Sequence, residues 1–456
     1  MFAEKHIRKV SQTIFNIKNG KIKYLYHINR MKSFAEEDML TSRTECAGKI
    51  LAIHAHAYRT CRYYKELWES IGYNPEIGTN VGPIPEIPLL TKDIIESQKS
   101  RMISSLYKLD DLEKSFTGGT SGNPTSFYRN RECTIEREGR LLGILELSGY
   151  RASDRCGLIW GAHQDFPGAH ESHGIKARIR KFTLGKEKLC SNVLTPEMLR
   201  EYHDRLKRFQ PDVLYGYPNA IREFAEYIQR EKLEPITGGK IFCTAEKLSE
   251  GTRKKLEEVF SGEVFNLYNT REHGCIGFEC RKHNGFHIDI GNVHVEIMED
   301  GKPVPAGQPG EIVVTDLLNY GMPFIRSRIG DRGALSPETC DCGINLPLLS
   351  SLEGRESDVL IMPDGSKVAG LMMLDMFEDV ETIKNIQIIQ ESLHEITINL
   401  ETTEEMTDKF KGYVKSQAMK FIGEDVNIVV NKVVKIPKSP ISGKTREVVC
   451  KIKRAR

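Results

Sequence analysis

Several short stretches of this chain carry residue types that chemistry on a phosphorylated ligand would need. Residues 115–125 read SFTGGTSGNPT, three glycines among small hydroxyl residues, closed by a proline. Glycine at that density costs folding entropy and marks backbone that must come close to something. The hydroxyls and bare N–H groups suit an anion, a phosphate first of all, with an ordinary surface turn as the bland alternative. The loop is not a Walker A loop, because the lysine–hydroxyl pair that closes one is absent. Further along, YNTREHG (268–274) directly follows the apolar run VFNLYN, which places it at a strand's carboxyl end, where α/β proteins bind ligands. RSRIGDRG contains Asp331 and Arg332, LEGRESD spans 352–358, and KSPISGKTR puts Lys444 on a glycine-flanked turn. Singly, each is ordinary: Asp after Gly is usually a turn, and a lysine near a chain end is usually solvated. Their order along one chain is what carries weight.

A second constellation is built from thiols. Cys340-Asp341-Cys342-Gly343 is a tight turn with two sulfurs, and ECRKHNGFH supplies Cys280, His283 and His287. Three cysteines and one histidine make a structural zinc set, against the alternative of a reduced thiol pair beside surface histidines. A closed site of this kind would pin two loops and do no chemistry itself. Cys280 to His283 is the tighter local spacing.

The elements that must position these residues can be read coarsely. The first hundred residues are mainly helical, with apolar residues at helical spacing through AGKILAIHAHAYRTCRYYKELWESIG, ending at the proline-rich GPIPEIPLLTKDII. After the glycine run, helical segments such as TIEREGRLLGILELSGY alternate with the short apolar runs CGLIWGA, VLYGY, KIFCTA and VFNLYN. That alternation predicts a parallel α/β sheet. From about Gly285 the rhythm changes to hairpins, FHIDIGNVHVEIMEDGKPV and GEIVVTDLL, with EDG and QPG as turns. This predicts a smaller, more antiparallel β region. The last hundred residues, from DVLIMPDGSKV, read as strand, helix, hairpin, helix, strand, a separate small α+β domain.

Composition narrows the function classes. At 456 residues two or three domains are expected. Lys+Arg 65 against Asp+Glu 63 gives no basic field for nucleic acid. The beginning, MFAEKHIRKVSQTIF, has no apolar core of signal-peptide length, and no run is long enough to span a membrane. Eleven cysteines without an export signal favour a reducing compartment, so the expectation is a cytoplasmic globular protein, and a homodimer is compatible with it.

Taken together, the ordered motifs resemble the adenylate-forming superfamily of acyl-CoA synthetases and luciferase-like enzymes. The nearest likeness is to the phenylacetate–CoA ligase branch and its capsular-polysaccharide-biosynthesis relatives. The resemblance runs from YYKELWESIG and IPLLTKDII through SFTGGTSGNPT to SGKTR. It implies an α/β protein: a large N-terminal adenylate-forming domain over 1–353, with a parallel α/β sheet and a smaller antiparallel region, and a small mobile α+β domain over 354–456. By resemblance, Thr117, Gly118, Gly119, Thr120, Ser121 and Gly122 wrap the β- and γ-phosphates of ATP. The family's Tyr-Gly-x-Thr-Glu stretch maps to Tyr268, Asn269, Thr270, Arg271 and Glu272. Its aromatic residue packs on adenine and its glutamate holds Mg2+, a hard cation suited to carboxylate oxygen. Asp331 would accept the ribose hydroxyls with help from Arg355. Ala245 and Glu246, in CTAEKL (243–248), would run along the adenine. Lys444 matches the mobile lysine that stabilises charge as pyrophosphate leaves. The zinc set is shared by some phenylacetate–CoA ligase relatives, and the Gly-Phe-His segment favours His287 over His283 as its fourth ligand.

Two departures stand out. Asn123 replaces the lysine that many relatives carry before the proline of the phosphate loop, and Arg271 replaces Ser or Thr before the glutamate. Arginine suits phosphate and could supply the missing cation, as a mark of the capsular subgroup. Tyr215 and Tyr217 in LYGYPNA look like the acyl-pocket turn or are core aromatics; His163 either lines that pocket or is a satisfied structural histidine. The expected reaction is ATP-dependent activation of a small-molecule carboxylate as acyl-adenylate. The C-terminal domain then rotates about 355–358, and the acyl group passes to a thiol, CoA first of all. The alternatives are an amine or hydroxyl acceptor in surface-polysaccharide assembly, and a non-catalytic, zinc-stabilised nucleotide-binding scaffold.

Overall fold

The computed structural model describes residues 22–76, 87–116, 125–151, 153–161, 185–191, 194–236, 239–355, 359–364, 366–369, 377, 380, 382–423, 425–437 and 447–452. The described residues begin with helices Ile22–Glu36, Met39–Thr60 and Arg62–Ser70. The helical periodicity through 47–72 is thus cut in two. The cut falls at Cys61, which is extended (φ −112, ψ 112), next to a Thr60 hydroxyl that donates to the His56 carbonyl at 2.8 Å. Such local side-chain bonding competes with helix continuation, and the break turns Tyr64 and Trp68 into the interior. Helix Lys92–Met102 follows, then the hairpin β1 (Glu113–Phe116) and β2 (Ser126–Arg129), on either side of the glycine run.

Helix Arg131–Leu147 packs against Ile22–Glu36, and two of its glycines make this possible. A Cβ on Gly139 would lie 2.6 Å from His27 Cβ, and one on Gly143 would lie 2.8 Å from the Ile28 carbonyl. The parallel sheet then forms from β3 (Cys156–Trp160), β4 (Lys186–Cys190), β5 (Val213–Gly216), β6 (Lys240–Thr244) and β7 (Glu263–Thr270). Helices Pro196–Phe209, Pro218–Arg230 and Glu250–Phe260 make the crossovers. Their starts are set by sequence: the Thr195 side chain accepts from Met198 N ahead of Pro196, and Ser249 accepts from Thr252 N.

The antiparallel part is not a separate sheet. Strands β8 (Gly274–Phe278), β9 (Phe286–Ile288), β10 (Val293–Glu299), β11 (Lys302–Pro303), β12 (Gly310–Asp316), β13 (Ser327–Leu335) and β14 (Leu348–Arg355) continue from β7. Together they make one twelve-stranded sheet in the order β11-β10-β12-β13-β14-β9-β8-β7-β6-β5-β3-β4. The hairpin expected through the EDG turn forms, between β10 and β11, but the FHI of the same stretch lies outside it, because β9 pairs with β8 and β14 while β10 pairs with β11 and β12. One face of the sheet is filled by Phe242, Phe265, Leu267 and Ile276 under the N-terminal helices. The other is filled by Leu214, Ile241 and Val264 against Phe224 and Phe260 of the crossover helices.

Beyond this sheet lie the hairpin β15 (Val359–Ile361) and β16 (Lys367–Ala369) and a second sheet. That sheet holds β17 (Ile383–Ser392), β18 (Glu395–Thr402), β19 (Asn427–Lys432) and β20 (Val448–Cys450), in the order β19-β18-β17-β20. Helix Asp408–Ile422 closes over it, giving a core of Ile388, Ile396, Ile398, Leu400, Val414 and Ala418. The expected hairpin, helix and strand are all present. The expected opening strand is itself a two-stranded hairpin, and the helix expected after it lies outside the described residues.

Candidate active site

The carboxyl ends of β6 and β7 and the centre of β13 converge. Tyr268 to Thr270 close β7 rather than following it, and Asp331 sits inside β13 rather than on a turn, next to Gly330 at φ +80. The Tyr268 hydroxyl donates to Asp331 Oδ2 at 2.7 Å across 63 residues of sequence. Asp331 is in register with Arg355 of β14, so the three stretches YNTREHG, RSRIGDRG and LEGRESD meet at one place. The CTAEKL stretch joins them from the end of β6. Ala245 holds a left-handed φ of +69, a conformation that costs a non-glycine residue about 1–2 kcal/mol. Glu246 accepts from the Asn219 backbone N–H at 3.4 Å through Oε2.

The turn that carries Arg271 and Glu272 is held from beneath. Arg137 is buried and donates to the Glu272 carbonyl at 2.7 Å, to Asp316 Oδ2 at 2.5 Å and to Asn292 Oδ1 at 3.3 Å. Arg129 donates to the Arg271 carbonyl at 3.3 Å. Asn292 Nδ2 donates to the carbonyls of His273 and Cys275 at 2.8 and 2.7 Å. His273 is buried, and burial lowers its pKa to about 4, so the ring is neutral beside Thr270 Oγ1 at 3.1 Å. Removing one member of a buried ion pair such as Arg137–Asp316 costs about 3–5 kcal/mol, so the turn's backbone is firmly placed. Sequence reasoning assigned no role to Arg129, Arg137, Asn292 or Asp316. The one legible signal was the Gly139–Gly143 spacing, which brings a second helix close enough to bury that helix's arginines.

The thiols also come together. Ligand atoms of Cys280, His287, Cys340 and Cys342 all lie within 4.8 Å of one another. Cys280 Sγ is 3.7 Å from Cys340 Sγ, and Cys342 Sγ is 3.3 Å from His287 Nε2. A tetrahedral zinc with metal–sulfur bonds of about 2.3 Å needs ligand atoms about 3.5–4 Å apart, so the set fits. Backbone N–H groups of Lys282 and Ile344 approach the Cys280 and Cys342 sulfurs at 3.4 Å, the orientation that supports thiolate ligands. His283 turns elsewhere, to Glu279 Oε2 at 3.1 Å. The donors come from the end of β8, from β9, and from the loop before β14.

Thr117, Gly118, Gly119, Thr120, Ser121, Gly122 and Asn123, together with His163, Lys444, the Arg355 side chain and 356–358, lie outside the described residues. Glu447, three residues past Lys444, lies against the Asn219 side chain and near Glu246, Arg222 and Lys247. Arg222 donates through Nη2 to the Lys384 carbonyl at 3.3 Å and Asn385 Oδ1 at 3.1 Å, a second contact between the C-terminal region and the helix that follows β5. Among the described residues, no helix is long and apolar enough to cross a membrane.

A family model described as the CapK C-terminal domain matches residues 360–451. Protein CapK of Staphylococcus aureus is 26% identical over 390 residues, 82% of this chain and 81% of that one. A phenylacetate-coenzyme A ligase of Thermus thermophilus is 24% identical over 318 residues, 68% of this chain and 69% of that one. Among solved structures, 2-hydroxyisobutyryl-CoA ligase in the postadenylation state superposes with a TM-score of 0.74 at 18% identity, covering 91% of each chain. In its thioesterification state, with adenylate and CoA, the TM-score is 0.60 at 19% identity over the same 91% of each chain.

Proposed function

We propose, for a chain with the fold of the adenylate-forming CoA ligases and with phenylacetate–CoA ligases and CapK among its relatives, that it activates a carboxylic acid with ATP and passes the acyl group to an acceptor, CoA first of all. The observation that carries this is the 2.7 Å bond from Tyr268 to Asp331, which brings the two nucleotide-type motifs to one place at the strand ends. In this reading Tyr268 packs on the adenine, with Ala245 and Glu246 along its edge, and Asp331, assisted by Arg355, takes the ribose hydroxyls. Thr117 to Gly122 cradle the outer phosphates, and Arg271 supplies the cation that Asn123 does not. Asn269 and Thr270 shape the strand end beside the nucleotide. Glu272 fits Mg2+, which when bound neutralises phosphate charge.

The acid's carboxylate attacks the α-phosphorus; the bond to the pyrophosphate oxygen breaks, and Lys444 stabilises the charge on the oxygens involved. The region 354–456 then rotates about 355–358 relative to 1–353, and the acceptor attacks the acyl carbon as AMP leaves. Cys280, His287, Cys340 and Cys342 would hold a zinc that clamps β8, β9 and β14 without taking part. The match of 360–451 to the CapK C-terminal model supports a second reading of the acceptor, an amine or hydroxyl in surface-polysaccharide assembly, because this region would face the acceptor. A carboxylate library assayed for pyrophosphate release, repeated with CoA and with amine and sugar acceptors, tests both. Release with at least one acid supports the ligase; release with none leaves a nucleotide-binding scaffold.

A further inference from the structure

The parallel half of the sheet has one point where chain order reverses. β3 is flanked by β4 on one side and β5 on the other, and β6 and β7 continue outward from β5. The crevice outside the carboxyl ends at such a reversal is where open α/β sheets receive ligands. Three aromatic residues stand there. Trp160 ends β3, Tyr215 lies in β5 and Tyr217 follows it, with the Trp160 ring 6.0 Å from that of Tyr215 and 4.6 Å from that of Tyr217. Gly216 sets this closeness, since a Cβ there would lie 2.2 Å from the Ile159 carbonyl.

The wall is not wholly apolar. Asn269 of β7 brings its Nδ2 to 3.5 Å from the Tyr215 hydroxyl, while its buried Oδ1 has no hydrogen-bond partner among the described residues. Exchanging the amide's oxygen and nitrogen moves the deficit to the other atom and does not remove it. Burying an amide atom unpaired is unfavourable unless something pairs with it later. The neighbour Tyr268 bonds to Asp331 while the Asn269 side chain reaches Tyr215, so the two adjacent side chains serve different partners at this strand end, where the β7–β8 register shifts between them. The motif that Tyr268–Glu272 resembles has glycine at this position, and Asn269 is not among the residues with left-handed backbone, so the backbone does not demand an asparagine.

We propose that Asn269 and Tyr215 determine acid specificity by hydrogen-bonding a hydroxyl, keto or amide substituent on the substrate, whose apolar remainder lies against Trp160 and Tyr217. This rests on the acid-activating reading above. A site built to pair a substrate polar group discriminates strongly against the analogue that lacks it, because its own buried atoms then stay unpaired.

The test is pyrophosphate release with matched acids: lactate and propionate, 3-hydroxybutyrate and butyrate, 4-hydroxybenzoate and benzoate, 4-hydroxyphenylacetate and phenylacetate. In at least one pair the hydroxylated acid should have a kcat/KM at least about tenfold higher. That ratio should fall to near one in Asn269→Leu and shrink in Tyr215→Phe, while Asn269→Ser retains part of it. If Asn269→Leu does not fold, Tyr215→Phe and Asn269→Ser decide. Activated acids with no preference in any pair, or a preference unchanged in the variants, overturn the proposal while leaving the ligase reading intact. Activation of no acid at all overturns the ligase reading, and this proposal with it.

Discussion

Glu272 stands just past the end of β7 with its backbone carbonyl held by Arg137, so replacing its carboxylate by an amide changes charge without moving the chain. Glu272→Gln should therefore slow magnesium-dependent pyrophosphate release by about a hundredfold, the scale of one lost electrostatic stabiliser, with melting temperature unchanged. Wild-type rates in that variant would remove Glu272 from the metal. At this scale the sequence picked out candidates by chemical type, and of these the structure brings the Tyr268 ring and the Asp331 carboxylate together. The sequence was not legible where a residue works through a distant partner. Arg137 meets Asn292 and Asp316 across 155 and 179 positions, and Arg140 meets Asp289 across 149. In TIEREGRLLG only the Gly139–Gly143 spacing hints that the arginines pair in the interior, and it does not say with what.

At the scale of elements, the apolar runs CGLIWGA, VLYGY, KIFCTA and VFNLYN were readable as parallel strands, because burial on both faces leaves a largely apolar signature. The three-residue β9 was readable as β structure but its partners were not, since its pairing with β14 depends on residues about sixty positions away. Its His287 joins the cysteine cluster through that pairing. Protein purified without chelator should carry about one zinc per chain. Changing Cys340 and Cys342 to serine should remove the metal and lower the melting temperature, because a closed structural site contributes directly to folding. Metal analysis finding no zinc, or full thermal stability without it, would count against the clamp.

At the scale of the whole molecule, the C-terminal region meets the sheet next to the nucleotide-type motifs. Burial and the charge of Glu246 raise the Glu447 pKa to about 7 from 4.5, against the opposing pull of Arg222 and Lys247. When the regions separate, the carboxyl returns to its ordinary value, so the docked form binds the proton more tightly. Docking is then strongest below about pH 4.5 and weakens as pH rises, with the full loss reached above about pH 7. Energy transfer between fluorophores on the two regions should show the docked fraction falling from about pH 4.5 to about pH 7, and Glu447→Gln should flatten that fall. A docked fraction independent of pH in the wild-type chain would contradict it.

Activation of an acid before transfer is tested most directly by acid-dependent exchange of labelled pyrophosphate into ATP, measured on wild type and Lys444→Ala. Exchange should occur with at least one acid and fall about a hundredfold or more in Lys444→Ala, while that variant, given preformed acyl-adenylate and acceptor, completes transfer at nearly the normal rate. No exchange with any acid, in protein whose melting temperature Mg-ATP still raises, would contradict acid activation. Equal loss in both half-reactions, or loss in neither, would contradict the alternation of the C-terminal region between them.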